Sequence, residues 1–201
     1  PYLLNKDVLM KKIPYMLAFS FIGNYDEGDS YNWAQWKHFN VETATGLYIR
    51  LSDISPMQPQ TANETELNGN IALLTAKVQE HPETTFKFFF SPYSMLWWDN
   101  AYRSGELEAV IYNEKQAIAS LLSYDNVEIY YYQDDEPVIT TLDNYMDMLH
   151  FSKDINYYIF DKLAKGEERL TIDNYEQRLD GMRELAYRIA QDDIKKYYEG
   201  D

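Results

Sequence analysis

Cysteine is absent from this chain of 201 residues, and basic residues are few. Without cysteine the chain forms neither disulfides nor cysteine-ligated zinc sites, although this does not distinguish a cytosolic protein from an external one. Eighteen Lys and Arg stand against 33 Asp and Glu, for a net charge of −15. Because like charges repel, nucleic acid and anionic membrane surfaces are excluded as favoured partners. We find no apolar run long enough to span a bilayer and no signal peptide.

Aromatic residues are abundant, with 19 Tyr and four Trp. Such amphipathic rings serve cores, interfaces and sugar-stacking surfaces alike, so their number alone does not separate these uses. The length fits one domain with a sizeable core, or a domain with an appendage. Since the first residue is Pro1 and not Met, we expect the chain to be part of a longer protein.

A strand, a helix and a second strand follow one another in the middle of the chain. The apolar run Phe86 to Phe90 predicts a strand covered on both faces, and the β-branched and aromatic run Val127 to Tyr132 predicts another. Between them, residues 105–124 carry apolar side chains on one helical face. The pattern predicts a right-handed crossover between parallel strands.

The remaining segments give a coarser picture. Residues 3–22 predict either a helix interrupted at Pro14 or, from Leu17 to Ile22, a buried strand. We interpret residues 23–60 as an irregular excursion, either close to a binding site or a surface loop anchored by its own aromatics. Further helices are predicted over residues 61–81, after Ser152 with an end at Gly166, and from Ile172 onward.

The most informative residues are Asp147 and His150, on a connection that leaves the carboxyl end of the second strand. Ligands bind at that edge of open α/β sheets. A carboxylate three residues before an imidazole in a turn can accept the Nδ1 hydrogen, which fixes the tautomer and stabilises the imidazolium formed in proton transfer. The alternative is that both are ordinary capping or surface residues before a helix.

Candidate substrate-binding residues follow the first strand, whose loop should lie near the one that holds Asp147 and His150. They are Tyr93, Ser94, Trp97 and Trp98, and core packing is the alternative for the two indoles. Gly28-Asp29-Ser30 matches the nucleophile triplet of an esterase family, but four polar residues precede it where a buried strand should end, which favours coincidence. The acidic run 134–136 lacks calcium-ligand spacing, so we interpret it as solvated and predict no metal site.

The order of these parts, ending in Asn144-Tyr145-Met146-Asp147-Met148-Leu149-His150-Phe151-Ser152, resembles the last third of the SGNH, or GDSL-type, hydrolases. The resemblance covers residues 61–166. It implies a flavodoxin-like, three-layer α/β/α fold with parallel strands, here incomplete at the N-terminus. Residues 1–201 would then be a single α/β domain, the C-terminal part of a larger one. It also implies that Asp147 and His150 complete a Ser-His-Asp triad.

The chain departs from that family in lacking a serine block and a Gly-x-Asn-Asp block. We therefore expect the nucleophile to lie upstream of Pro1. The resemblance implies an esterase or O-acyltransferase that acts without a cofactor on an ester, for example of a carbohydrate or a cell-surface polymer. The membrane-anchored, extracytoplasmic bacterial members are the subgroup it is most similar to, so any membrane contact would come through an upstream anchor. The alternative function is a noncatalytic surface or carbohydrate-binding module that stacks sugars on Trp33, Trp36, Trp97 and Trp98.

Overall fold

The computed structural model describes residues 10–11, 13–22 and 37–198. Contacts divide the chain into two units, residues 1–37 and 38–201. In the first unit, helix α1 spans Ile13–Ile22, so the helical alternative for residues 17–22 is confirmed. Pro14 lies in the first turn of α1, where its missing N–H leaves no hydrogen bond unmade.

The second unit is built on the predicted strand-helix-strand sequence. Strand β1 spans Phe86–Phe90, helices α4 (Met95–Arg103) and α5 (Leu107–Leu121) follow, and strand β2 spans Val127–Tyr131. The two strands pair in parallel, with Phe86 opposite Val127 and Phe90 opposite Tyr131. The predicted parallel pairing across a helical crossover is therefore confirmed.

The sheet is mixed, and this corrects the expectation of parallel strands only. A third strand, β3 (Arg169–Leu170), pairs antiparallel with β2, so the order is β1-β2-β3. The prediction that β1 is covered on both faces is also wrong, because its side chains alternate between half-buried and exposed and Phe89 is 47% exposed. Among the described residues β1 is an edge strand, and one face of an edge strand needs no cover.

Strand β2 is the centre of the core, with helices packed on both faces of the sheet. Val127, Ile129 and Tyr131 join a large cluster with residues of α4 and α5 and of helix α8 (Tyr175–Arg188). Tyr130 and Tyr132, which point the other way, join a smaller cluster with residues of helices α6 (Glu136–Ile139) and α7 (Lys153–Lys165). The protein is thus a mixed α/β protein with a small three-stranded sheet.

The remaining elements surround this framework. Helix α2 spans Val41–Leu47, helix α3 spans Glu64–Glu80, and helix α9 spans Lys195–Tyr198. A 3₁₀ turn, Leu142–Asn144, precedes α7, and a π-helical turn, Ile189–Asp193, follows α8. The predicted stop of α7 at Gly166 is confirmed, since Gly166 adopts a left-handed conformation with φ of 73°. Among the described residues no helix is long and apolar enough to cross a membrane.

The described part of the predicted excursion is tied to the turn between α4 and α5. The backbone N–H of Ser55 donates to the carbonyl of Arg103, and that of Gln58 donates to the carbonyl of Gly105. Gly105 has φ of 78°, and a Cβ there would lie 2.3 Å from the carbonyl oxygen of Pro56. Only glycine adopts this positive φ without strain and has no Cβ to collide with Pro56, so the close approach of the two backbones depends on Gly105.

Candidate functional site

The backbone around Asp147 and His150 folds as a tight loop closed at its base. Tyr145 and Phe151 form an antiparallel bridge, and the N–H of Met146 donates to the carbonyl of His150 at 3.0 Å. Helix α7 starts directly after the loop, with Ser152 as its N-cap residue. The loop therefore holds both candidate side chains between a bridge and a helix start.

The carboxylate of Asp147 is fully used within this loop. Its Oδ1 accepts the backbone N–H groups of Leu149 and His150, each at 2.8 Å. Its Oδ2 lies 2.7 Å from Nδ1 of His150. The contact predicted from the three-residue spacing is therefore present. The backbone bonds explain its geometry, because they orient the carboxylate before the ring meets it.

The same contacts determine the charge of Asp147 and the tautomer of His150. Burial raises the pKa of Asp147, but the hydrogen bonds from the N–H groups of His150 and Leu149 and from the His150 ring outweigh it and bring the pKa below its ordinary value. An ionised carboxylate only accepts hydrogen bonds, so Nδ1 of His150 must carry a hydrogen. In the neutral ring the basic lone pair is then on Nε2.

Both groups are reachable from solvent. The His150 side chain is 52% exposed and that of Asp147 is 30% exposed. A half-exposed imidazole next to a more sheltered carboxylate is the arrangement that a general base needs, since an incoming hydroxyl can approach the ring while the carboxylate stays in place.

The loop that follows β1 fixes this site from the other side. The backbone N–H and the hydroxyl of Ser94 both donate to the carbonyl of Met148, at 3.1 and 2.9 Å. The hydroxyl of the fully buried Tyr145 donates to the carbonyl of Pro92 at 2.7 Å. The prediction that the loop leaving the first strand lies near the loop of Asp147 and His150 is thus confirmed.

The candidate substrate-binding residues are placed differently from one another. Ser94 and Trp98 are fully buried, and the hydroxyl of Ser94 is already used by the His150 loop. Trp98 belongs to the large core cluster and presents no surface to a ligand. Tyr93 and Trp97 are half-buried and pack ring against ring, with centroids 5.1 Å apart. Of the four, only these two keep a surface that a ligand can touch.

Several sequence features fall outside the described residues. These are Gly28-Asp29-Ser30, Trp33 and Trp36. Within the described residues no group of three or more His, Cys, Asp or Glu side chains is placed to hold a metal ion.

The interpretation of the acidic run after β2 as solvated holds for the exposed Glu136 but is wrong for Asp134 and Asp135, which are partly buried and paired. Asp134 pairs with Arg178 through both carboxylate oxygens. Asp135 accepts a hydrogen bond from the hydroxyl of Tyr158, and Glu136 pairs with Arg188 at 2.7 Å. The three acids therefore join the end of β2 to helices α7 and α8. The partners lie 23 or more residues away in sequence, beyond the reach of local patterns.

Local sequence patterns also did not reveal one buried and one partly buried carboxyl group, those of Asp99 and Glu114. Asp99 is fully buried and pairs with Arg50 through both carboxylate oxygens, at 2.9 and 3.2 Å, while the hydroxyl of Tyr48 donates to it at 2.8 Å. Glu114 on α5 accepts the hydroxyl of Tyr131 at 2.9 Å. A helical pattern that marks only apolar positions as buried does not reveal such groups.

Comparison of this chain with protein-family models, with curated proteins and with solved structures gave no match. The class that the geometry defines is thus a mixed α/β protein with an exposed histidine-carboxylate pair after its central strand.

Proposed function

We propose that this chain is the histidine-bearing, C-terminal part of an SGNH-type esterase or O-acyltransferase with a flavodoxin-like sheet. The observation that carries the proposal is the 2.7 Å contact between Nδ1 of His150 and Oδ2 of Asp147. The pair follows the central strand, after its carboxyl end, where α/β enzymes place their sites. The substrate is an ester, and we propose that the alcohol that carries its acyl group belongs to a carbohydrate or surface polymer outside the cytoplasm.

In this mechanism His150 moves the proton. A serine hydroxyl from outside the described residues attacks the ester carbonyl while Nε2 of His150 takes its proton. The resulting imidazolium gives that proton to the leaving alkoxide, and an acyl-serine remains. Water or a sugar hydroxyl then attacks the acyl-serine, again losing its proton to Nε2, and the serine is released with that proton. Water makes the protein an esterase, and a sugar hydroxyl makes it a transferase.

Asp147 suits the supporting role. It stays ionised because three hydrogen bonds stabilise its negative charge, and it accepts the Nδ1 hydrogen without taking it. Its negative charge stabilises the imidazolium at the stage when the proton is on the ring. Since the backbone fixes the carboxylate, no reorganisation is required during the reaction.

The alternative function, a noncatalytic module that stacks sugars on exposed indoles, has less support. Trp98 is fully buried and Trp97 is half-buried against Tyr93. This function requires at least two of the four indoles to be exposed along one groove, and neither of the two that the structure describes is an exposed platform.

The test uses the full-length protein that contains this chain, an aryl acetate as substrate and a fluorophosphonate probe for an activated serine. We expect His150→Ala to reduce turnover by about 10²- to 10⁴-fold, the usual contribution of a positioned acid-base group, and to reduce labelling with it. His81→Ala is a matched control, because the His81 side chain is 53% exposed and its Nδ1 also faces a carboxylate, Glu83, at 3.5 Å.

Two results would overturn the proposal. One is activity in the His150→Ala protein equal to that of the His81→Ala protein. The other is a wild-type protein that neither hydrolyses the aryl acetate nor reacts with the probe, since the proposed mechanism requires an activated serine.

A further inference from the structure

A polar cleft lies between the segment that follows β2 and helix α8. Its volume is about 670 Å³, within the range of sites that hold small ligands. One wall is formed by Asp134 and Glu136, and the other by side chains of α8. Neither Asp147 nor His150 lines it, so the cleft is separate from the proposed catalytic pair.

The charged groups of the cleft are largely satisfied by one another. Arg178 pairs with Asp134 and also donates to the carbonyl of Tyr131 at 3.1 Å. Arg188 pairs with Glu136 at 2.7 Å. A charged ligand gains little here, because it would have to displace an existing internal partner.

Two further side chains remain available for a ligand. Gln177 and Glu184 line the cleft, are exposed, and form no hydrogen bond or ion pair with any other described residue. Gln177 offers both a donor and an acceptor, and Glu184 offers an acceptor. Ligand hydroxyl groups, which donate and accept at once, match such a surface.

The charged side chains of the cleft disfavour both anionic and cationic ligands. The cleft carries three carboxylates and two guanidinium groups in a protein of net charge −15, which disfavours anions. A cation would find only the carboxylate of Glu184 without an ion pair among the described residues, because those of Asp134 and Glu136 are already paired with Arg178 and Arg188. Gly181 and Leu185 also line the cleft, and their apolar surfaces suit the C–H faces of a sugar ring.

We propose that this cleft is a binding site for a neutral, polyhydroxylated ligand of the carbohydrate class. If the proposed function is also correct, the cleft would hold the glycan that carries or receives the acyl group. The cleft proposal is tested by binding and not by turnover, so the two proposals can fail separately.

The chain offers an unusually well-matched pair of variants. Gly181 lies within α8 and Gly69 within α3, both are exposed, and a Cβ added at either position meets no other atom. Gly181→Leu fills the cleft, whereas Gly69→Leu makes the same chemical change on another helix. Since leucine favours helix more than glycine does, neither variant should melt below the wild-type temperature.

The experiment is a titration of the ¹⁵N-labelled protein, followed by backbone amide shifts, with trisaccharides of glucose, mannose and N-acetylglucosamine. Inorganic phosphate and spermidine are the charged comparators. We expect at least one trisaccharide to shift the amides of Gln177 and Gly181 with an affinity of about millimolar, and Gly181→Leu to weaken that binding at least tenfold. Gly69→Leu should bind like the wild type, and Gln177→Ala should bind severalfold more weakly.

Three outcomes would overturn the proposal. They are shifts at the cleft with phosphate or spermidine but with none of the sugars, no shift at the cleft with any of the trisaccharides, and unchanged sugar binding in the Gly181→Leu protein. If Gly181→Leu proves unfolded, the Gln177→Ala variant decides, because Gln177 forms no side-chain hydrogen bond or ion pair with another described residue that its loss would break.

Discussion

Glu114 should make the stability of this protein depend on pH close to neutrality. Burial, only partly offset by hydrogen bonds from Tyr131 and Gln133, raises the pKa of Glu114 from 4.5 to about 7. The folded protein therefore favours the neutral carboxyl.

The sign and size of the effect follow from linkage. Since the folded state binds the proton more tightly than the unfolded state, the contribution of Glu114 is fully present below about pH 4.5 and is lost as the pH rises through about 7. Each pH unit between these values changes the free energy of unfolding by about 1.4 kcal/mol, so the total loss is about 3 kcal/mol. This is a large fraction of the stability of a typical domain.

The perturbation is Glu114→Gln, which keeps the shape and the hydrogen-bonding capacity of the neutral acid but cannot ionise. Urea unfolding of both proteins should give a stability difference that changes by about 3 kcal/mol between about pH 5 and about pH 9, with the variant favoured at the higher pH. Taking the difference cancels the titration of groups that the two proteins share. Glu66→Gln, at an exposed position of α3, is the control and should show no such change.

A stability difference that stays constant across this pH range would refute the reasoning. It would mean that Glu114 ionises in the folded protein as readily as in the unfolded chain, and so that solvent reaches its carboxylate.

Three further predictions concern the candidate site and the core. In ¹⁵N spectra the neutral ring of His150 should carry its hydrogen on Nδ1, and Asp147→Ala should abolish this preference; a wild-type ring with its hydrogen on Nε2 would contradict the proposed role. Ser94→Ala removes a 2.9 Å hydrogen bond to the loop before His150, so urea unfolding should report a loss of about 1 kcal/mol, with faster amide exchange at His150 than in the wild type. Arg50→Met leaves the buried Asp99 without its main partner and should lower the free energy of unfolding by about 3 kcal/mol; a loss well below about 1 kcal/mol would show that the remaining groups around Asp99 suffice.

The features that sequence predicted are those set by local physics. Strands β1 and β2 follow from runs of apolar and β-branched residues, and α7 from Ser152 and Gly166 at its ends. The contact between Asp147 and His150 belongs to this class, because three residues of one turn are enough to bring the carboxylate to the ring. The residues that determine such features all lie within a short stretch of the sequence.

What the sequence did not reveal depends on distant partners. Asp99 and Arg50 lie 49 residues apart, and Arg178 and Asp134 lie 44 apart. Neither pair stands out locally, since charged residues on helices and loops usually face solvent. The two-residue strand β3 was missed for the same reason, because its pairing with β2 and not its own composition makes it a strand.

The candidate site combines the two kinds of feature, and together they fix the position of the base that we propose. The local turn aligns Asp147 with His150, but a turn alone would move freely at the surface of the protein. The distant contacts, from Ser94 to the carbonyl of Met148 and from Tyr145 to the carbonyl of Pro92, hold that turn against the end of β1. A base whose position is fixed in this way meets an incoming hydroxyl without first paying the entropy of ordering the loop.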